Sequence, residues 1–182
     1  MNFDSFSHGQ VSSKLWLCEQ LEPHLPPNAR ILVLGSWHNV LSFMMLTRKP
    51  NSYQEILGID IDKSSSEVAD KINDCWVYTN KVKNVTQDAN TVDYTGFDCV
   101  VNCSGEHFED SSWFDKIPKG MLVCVQSTNI KDPGDPWFIK QPTPTMSAFS
   151  DLYKVDETLY CDNKKIWYGT WGYNRYMLIG RK

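Results

Sequence analysis

The sequence predicts an α/β fold: a doubly wound, mostly parallel sheet of about seven strands that closes with an antiparallel hairpin. Three observations lead there. Short apolar runs alternate with helix-like segments along most of the chain. In residues 31–62 one apolar run meets a glycine turn at Leu34-Gly35-Ser36, a helical stretch follows, and a second apolar run ends on Asp60. Beyond Tyr153 the pattern changes to the period-2 alternation of paired strands.

Residues 12–21 read as an amphipathic helix, with Leu17 and Leu21 four apart and Ser12 or Ser13 as N-cap. Pro23, Pro26 and Pro27 end it. Residues 31–34 are a buried strand, and Gly35 permits the turn after it. Residues 40–46 are a wholly apolar helix facing the sheet, and 56–61 are the second strand. The polar helix 64–73 turns Val68 and Ile72 inward. A short third strand, 83–86, is closed by Gln87-Asp88-Ala89. The fourth strand is 97–103 and the fifth 121–126, with a short helix at 110–116 between them and the turn Pro118-Lys119-Gly120 before the fifth. Residues 132–144, with four prolines, are an irregular loop, and a helix follows near 146–152. Residues 153–161 and 173–181 form the antiparallel pair, joined by 162–172 with its Asn163 and Gly169.

A chain of 182 residues suits one domain, 1–182, with a single core. Seven Trp, eight Tyr and eight Phe are many for this length; they serve a core and also line pockets for flat ligands. A net charge of −4 offers nothing general to nucleic acid or to an anionic membrane, and Arg175, Arg181 and Lys182 make at most a local basic strip. Small-molecule partners are therefore expected over nucleic acid. The six cysteines lack CxxC spacing and read as reduced core thiols, with no metal site. The N-terminal stretch is too polar for a signal peptide and no apolar run approaches a membrane span, so a cytoplasmic location is expected.

A strand, a glycine turn, a helix and a parallel strand tipped by a carboxylate are how a nucleoside-bearing cofactor is held. Backbone and helix N-terminus take one part, and the acid, here Asp60, takes the ribose hydroxyls. The alternative for Asp60 is an N-cap, for which Asp62 or Ser64 is better placed. Three further runs stand out: His8-Gly9-Gln10 through Ser13-Lys14 to Trp16, Asn102-Cys103-Ser104-Gly105-Glu106-His107, and Arg175-Tyr176-Met177-Leu178-Ile179-Gly180. On these the chain resembles the class I S-adenosylmethionine (SAM)-dependent methyltransferases over roughly residues 28–182, and most closely a small branch common in bacteriophages. The resemblance implies a Rossmann-like sheet ending in an antiparallel hairpin, with SAM as cofactor.

By that resemblance Gly35, Ser36, Trp37, Asp60, Ile61, Asp88, Ala89, Asn102 and Ser104 hold the cofactor, with Asp88 on the adenine amine. Residues 1–27 form a helix and lid over the cofactor mouth; Gln10, Lys14, Tyr173 and Arg175 face the substrate. The chain departs from the family's first motif. Val33 stands in place of an acid, and Trp37 and Asn39 replace the second and third glycines. No pyrophosphate cradle results, which suits SAM better than a dinucleotide. Trp37 either covers the sulfonium by a cation–π contact or packs the loop onto the first helix. Asp88 is either the adenine acceptor or a plain turn aspartate.

Where amine-methylating enzymes acting on bases often carry Asn-Pro-Pro-aromatic, this chain has Asn102-Cys103-Ser104-Gly105. Glu106 and His107 follow, and they are the catalytic candidates. A neutral imidazole takes a proton from a hydroxyl, thiol or ammonium acceptor, and Glu106 orients the ring or holds a cationic substrate. Otherwise His107 caps the next helix and Glu106 is solvated. The expected activity is methyl transfer to a small-molecule or other hydroxyl or amine acceptor. The alternatives are SAM chemistry of another kind (aminocarboxypropyl transfer, cyclisation or cleavage), a non-catalytic SAM-binding protein, and last a dinucleotide-dependent oxidoreductase. The acceptor and the oligomeric state are not legible.

Overall fold

Strands that are covered on both faces read as continuous apolar runs, and the central strands here do so because helices pack on each side. In the computed structural model, which describes residues 3–130 and 139–182, seven strands form one sheet in the order β3-β2-β1-β4-β5-β7-β6. They are β1 (Ala29–Leu34), β2 (Tyr53–Asp60), β3 (Val82–Thr86), β4 (Cys99–Asn102), β5 (Leu122–Thr128), β6 (Glu157–Tyr168) and β7 (Trp171–Arg181). The first five are parallel; β7 inserts antiparallel between β5 and β6. The helices are α1 (His8–Leu21), α2 (Val40–Arg48), α3 (Lys63–Ile72), α4 (Asp74–Tyr78), α5 (Ser112–Asp115) and α6 (Met146–Leu152).

The period-2 geometry of the strands divides the core in two. Ile31, Val33, Cys99, Val101, Cys124, Met177 and Ile179 face one way and pack with Leu17, Cys18 and Leu21 of α1 and with Leu41 and Met45 of α2. Leu32, Leu34, Val100, Val123, Val125 and Leu178 face the other, against Trp113, Phe114, Phe149 and Tyr153. Cys18, Cys99, Cys103 and Cys124 are buried thiols; Cys75 and Cys161 are exposed.

The structure corrects three sequence expectations. The hairpin is longer: most of 162–172, expected as a connection, is strand, because β6 and β7 pair from Glu157↔Arg181 to Tyr168↔Trp171 around a turn at Gly169. Polar Asp162, Asn163, Lys164 and Lys165 sit on an edge strand open to water, so apolar alternation fails there. In α3 the buried line is Ser65, Ser66 and Ala69, while Val68 and Ile72 are half-buried, and a further short helix, α4, follows at once. Third, α1 begins four residues earlier than expected, at His8, and one of its faces joins the core. Gln126 Nε2 donates to the Ser13 carbonyl at 3.1 Å and Trp16 Nε1 to the Tyr160 hydroxyl at 3.2 Å. Gly9 lets its first turn meet the hairpin, its N–H donating to the Tyr168 hydroxyl at 2.7 Å where a Cβ would collide with Tyr168 and Tyr173. Of the expected loop 132–144, residues 132–138 lie outside the described residues, and 139–144 carry no helix or strand.

Candidate functional site

Strand order reverses between β1 and β4, and in open α/β sheets the crevice beyond the strand C-termini at such a point is where ligands sit. Here a cavity of about 1080 Å³ occupies it. Its walls come from the ends of six of the seven strands, from α1 and from the loop at Ile139 and Lys140.

The β1–α2 loop keeps the backbone of a glycine-rich turn with only one glycine. Gly35 (φ 56°), Trp37 (φ 49°) and Asn39 (φ 45°) are all left-handed. Two non-glycine residues therefore stand where the methyltransferase pattern places its second and third glycines, at a conformational cost of about 1–2 kcal/mol each. Tertiary bonds hold them there. Asp60 Oδ2 accepts from the Trp37 N–H at 2.7 Å, and Ser36 N–H donates to the Ile59 carbonyl at 2.9 Å. Asn39 donates to Asn84 Oδ1 at 2.7 Å over Gly58, which lacks the Cβ that would block it. At Gly35 a Cβ would lie 2.8 Å from the Phe108 ring.

Asp60 ends β2 and lines the cavity. Its other oxygen, Oδ1, accepts from the Asp62 N–H at 3.0 Å, so two lone-pair directions of the carboxylate remain for a ligand. The N-cap of α3 is Asp62, which accepts from Ser64, as the chain order suggested. Ile61, Asp88 and Ala89 line the same half of the cavity; Asp88 also caps the turn Ala89–Thr91 through Asn90 N–H at 2.8 Å. Trp37 is half-buried, stacks on His38 at 4.5 Å and borders the cavity. His38 is buried and bonded to Ser5 Oγ at 3.1 Å.

The other half is built on β4, β5, β7 and α1. Ser104, Glu106, His107, Gln10, Lys14, Tyr173 and Arg175 all line it. Glu106 is not solvated but buried, ion-paired through Oε1 with Arg175 Nη1. Arg175 Nη2 also donates to the Cys103 carbonyl, tying β7 to the end of β4. His107 Nε2 lies 3.9 Å from Glu106 Oε1, and desolvation at the cavity wall lowers its pKa from the ordinary histidine value. Lys14, almost fully buried, donates to Gln10 Oε1, and burial pulls its ammonium below the usual lysine range. Burial also pushes the Tyr173 phenol up to about 12.

One expected residue is not brought there. Asn102 lies within the sheet, fully buried, with Oδ1 accepting from Ser104 N–H at 2.8 Å; it shapes the turn into the cavity and does not border it. Of the aromatic end, only Tyr173 reaches the cavity; Tyr168 and Trp171 stack on one another at 5.1 Å, and Trp167 is exposed. Sequence reading missed Phe108, Asp4 and Thr128, all of which line the walls. None carries a local pattern, because which of them borders the cavity is set by tertiary contacts.

The comparisons with known proteins agree with this architecture. No family model and no curated protein sequence matches the chain. Among solved structures, the YcgJ protein from Bacillus subtilis superposes with a TM-score of 0.69 at 13% identity, over 94% of this chain and 99% of that one. The N-methyltransferase NodS from Bradyrhizobium japonicum WM9 gives 0.67 at 11% identity over the whole of both chains. Magnesium protoporphyrin IX methyltransferase from Synechocystis PCC 6803, solved with bound SAH, gives 0.65 at 12% identity over 94% of this chain and 84% of that one. The fold is thus the Rossmann-like fold of SAM-dependent methyltransferases. The neighbours lend nothing to the narrower resemblance to a bacteriophage branch.

Proposed function

We propose that the protein is a SAM-dependent methyltransferase acting on a small-molecule acceptor with a hydroxyl or amine nucleophile. The observation that carries this reading is the division of one cavity into two chemically different halves, both lying over the strand C-termini. The β1-β2-β3 half offers what a sulfonium nucleoside needs. Asp60 keeps acceptor capacity that would serve ribose hydroxyls, Asp88 and Ala89 would meet an adenine edge, and Gly35, Ser36 and Trp37 would hold the amino acid tail. When bound there, SAM supplies an electrophilic methyl carbon whose bond to sulfur breaks as the new bond forms, leaving a neutral thioether.

The chain's own residues do the rest. His107, held neutral near physiological pH by its desolvated position, accepts the proton that the nucleophile gives up. Glu106 fixes Arg175 and sits beside the ring. The walls exclude water and hold the acceptor in line, and positioning of this kind is worth roughly 7–11 kcal/mol in favourable systems. Asp4, Asp60, Asp62, Asp88, Glu109 and Asp110 around the cavity oppose polyanions, which favours a small acceptor over nucleic acid. Among the described residues no helix is long and apolar enough to cross a membrane. The volume also exceeds what one nucleoside cofactor needs, which favours transfer to a second molecule over intramolecular cleavage or cyclisation.

Isothermal calorimetry with S-adenosylhomocysteine tests the first half: binding is expected in the micromolar range, weakened at least tenfold by Asp60→Ala. No binding by the unaltered protein, or no effect of the substitution, would overturn it. Product analysis tests the second half, since S-adenosylhomocysteine marks methyl transfer and methylthioadenosine marks the other chemistries.

A further inference from the structure

Lys14 is an unusual side chain: a lysine buried in a cavity wall. An ammonium group is strongly hydrated, and burying one without a counter-charge is unfavourable by several kcal/mol. Lys14 is 6% exposed, yet among the described residues its one hydrogen-bond partner is the neutral amide oxygen of Gln10, one helical turn earlier. Among the described residues two of its three protons have no acceptor. Two carboxylates, Glu106 and Asp4, favour its charged form, but Glu106 Oε1 is taken by Arg175, a second cation buried to the same degree. Glu106 Oε2 and Arg175 Nε, both buried, also have no hydrogen-bond partner among the described residues. All three residues line the same wall.

Position in the sheet separates this wall from the cofactor half. Asp60 ends β2 and Arg175 belongs to β7, four strands away across β1, β4 and β5. At about 4.8 Å between neighbours that is roughly 19 Å along the sheet. A ribose held at Asp60 leaves the span over β4, β5 and β7 to a second ligand.

We propose, resting on the methyltransferase reading, that the acceptor is a small acid whose carboxylate seats on Lys14 beside Arg175, and whose N–H or O–H nucleophile turns toward Glu106 and His107. Amino acids and hydroxy acids have this chemistry. The ligand's anion completes the shell of Lys14, and the protein alone keeps the cation only because that complex requires it. Lys14 binds and orients the substrate and exchanges no proton in the reaction.

The experiment compares the full chain with Lys14→Met, which keeps the length and removes the charge. Thermal unfolding is followed with and without S-adenosylhomocysteine, in sodium acetate, glycine or lactate against sodium chloride at equal ionic strength. Affinities for S-adenosylhomocysteine and for methylthioadenosine, which lacks the carboxylate, are measured alongside. The unaltered protein should be stabilised saturably by the carboxylates, by several degrees, and the variant should show no such response. The variant alone should melt at the same temperature or higher, which a merely structural lysine would not allow. S-adenosylhomocysteine should bind both proteins within threefold.

Equal carboxylate responses, or none in either protein, would overturn the proposal. So would a tenfold loss of S-adenosylhomocysteine affinity in the variant with methylthioadenosine unchanged, since Lys14 would then hold the cofactor's own carboxylate. If S-adenosylhomocysteine binds neither protein, the cofactor reading fails, while the carboxylate series without it still decides whether Lys14 is an anion site.

Discussion

Replacing Glu106 with Gln tests the charge arrangement on which the acceptor half depends. The change keeps shape and volume but leaves the Arg175 guanidinium with the Cys103 carbonyl and no counter-charge, and with Lys14 as a second cation near by. Both members of the pair are at most 6% exposed, so water does not compensate. Breaking a buried ion pair from one side costs about 3–5 kcal/mol. In a domain of this size each kcal/mol moves the unfolding midpoint by about 2–4 °C, so Glu106→Gln should melt roughly 6–20 °C lower. The double variant Glu106→Gln, Arg175→Met removes both charges and should recover more than half of that loss, giving a coupling of about 2 kcal/mol or more in a double-mutant cycle. Calorimetric or denaturant unfolding of the four proteins decides it. A single-variant loss below about 1 kcal/mol, or no recovery in the double variant, would refute the view that this pair is desolvated and mutually dependent.

Three other outcomes follow from the geometry. Trp37→Gly should relieve about 1–2 kcal/mol of left-handed strain, while the loss of the ring weakens S-adenosylhomocysteine binding; a lower midpoint together with unchanged affinity would contradict both halves. Asp60→Asn keeps one acceptor oxygen for two backbone donors, so urea titration should show about 1–3 kcal/mol lost even without ligand. His107 has a lowered pKa in the folded state, so between that value and 6.5 the unfolded chain binds a proton that the folded chain refuses. Its contribution to stability is therefore complete above pH 6.5 and declines as the pH falls through that window, and the acid limb of the pH–rate profile should lie below 6.5 and vanish in His107→Gln.

Much of the fold was legible because strands and helices announce themselves locally. Residues 31–34, 99–101 and 122–125 are apolar without interruption because both faces of their strands are covered, and α6 matches its expected span because Thr145 caps it through Ala148 N–H. Asp60 and Gly35 were legible as well, since a carboxylate at a strand end and a glycine at a turn are positional signals. The polar half of the hairpin was not, because an edge strand in water needs no apolar alternation.

The local sequence by itself determined the parallel sheet, the glycine turn and the acid that ends the second strand, since each depends on residues close together in the chain. Only the tertiary structure decided that Arg175 meets Glu106, 69 residues earlier, that Lys14 from the first helix is buried against the same wall, and that Asn102 turns away from the cavity. Those outcomes depend on strand order, with β7 inserted beside β5 and the first helix packed beneath it. A pairing between charges far apart in sequence leaves no periodic trace, and its free energy exists only once the fold has removed water from both partners.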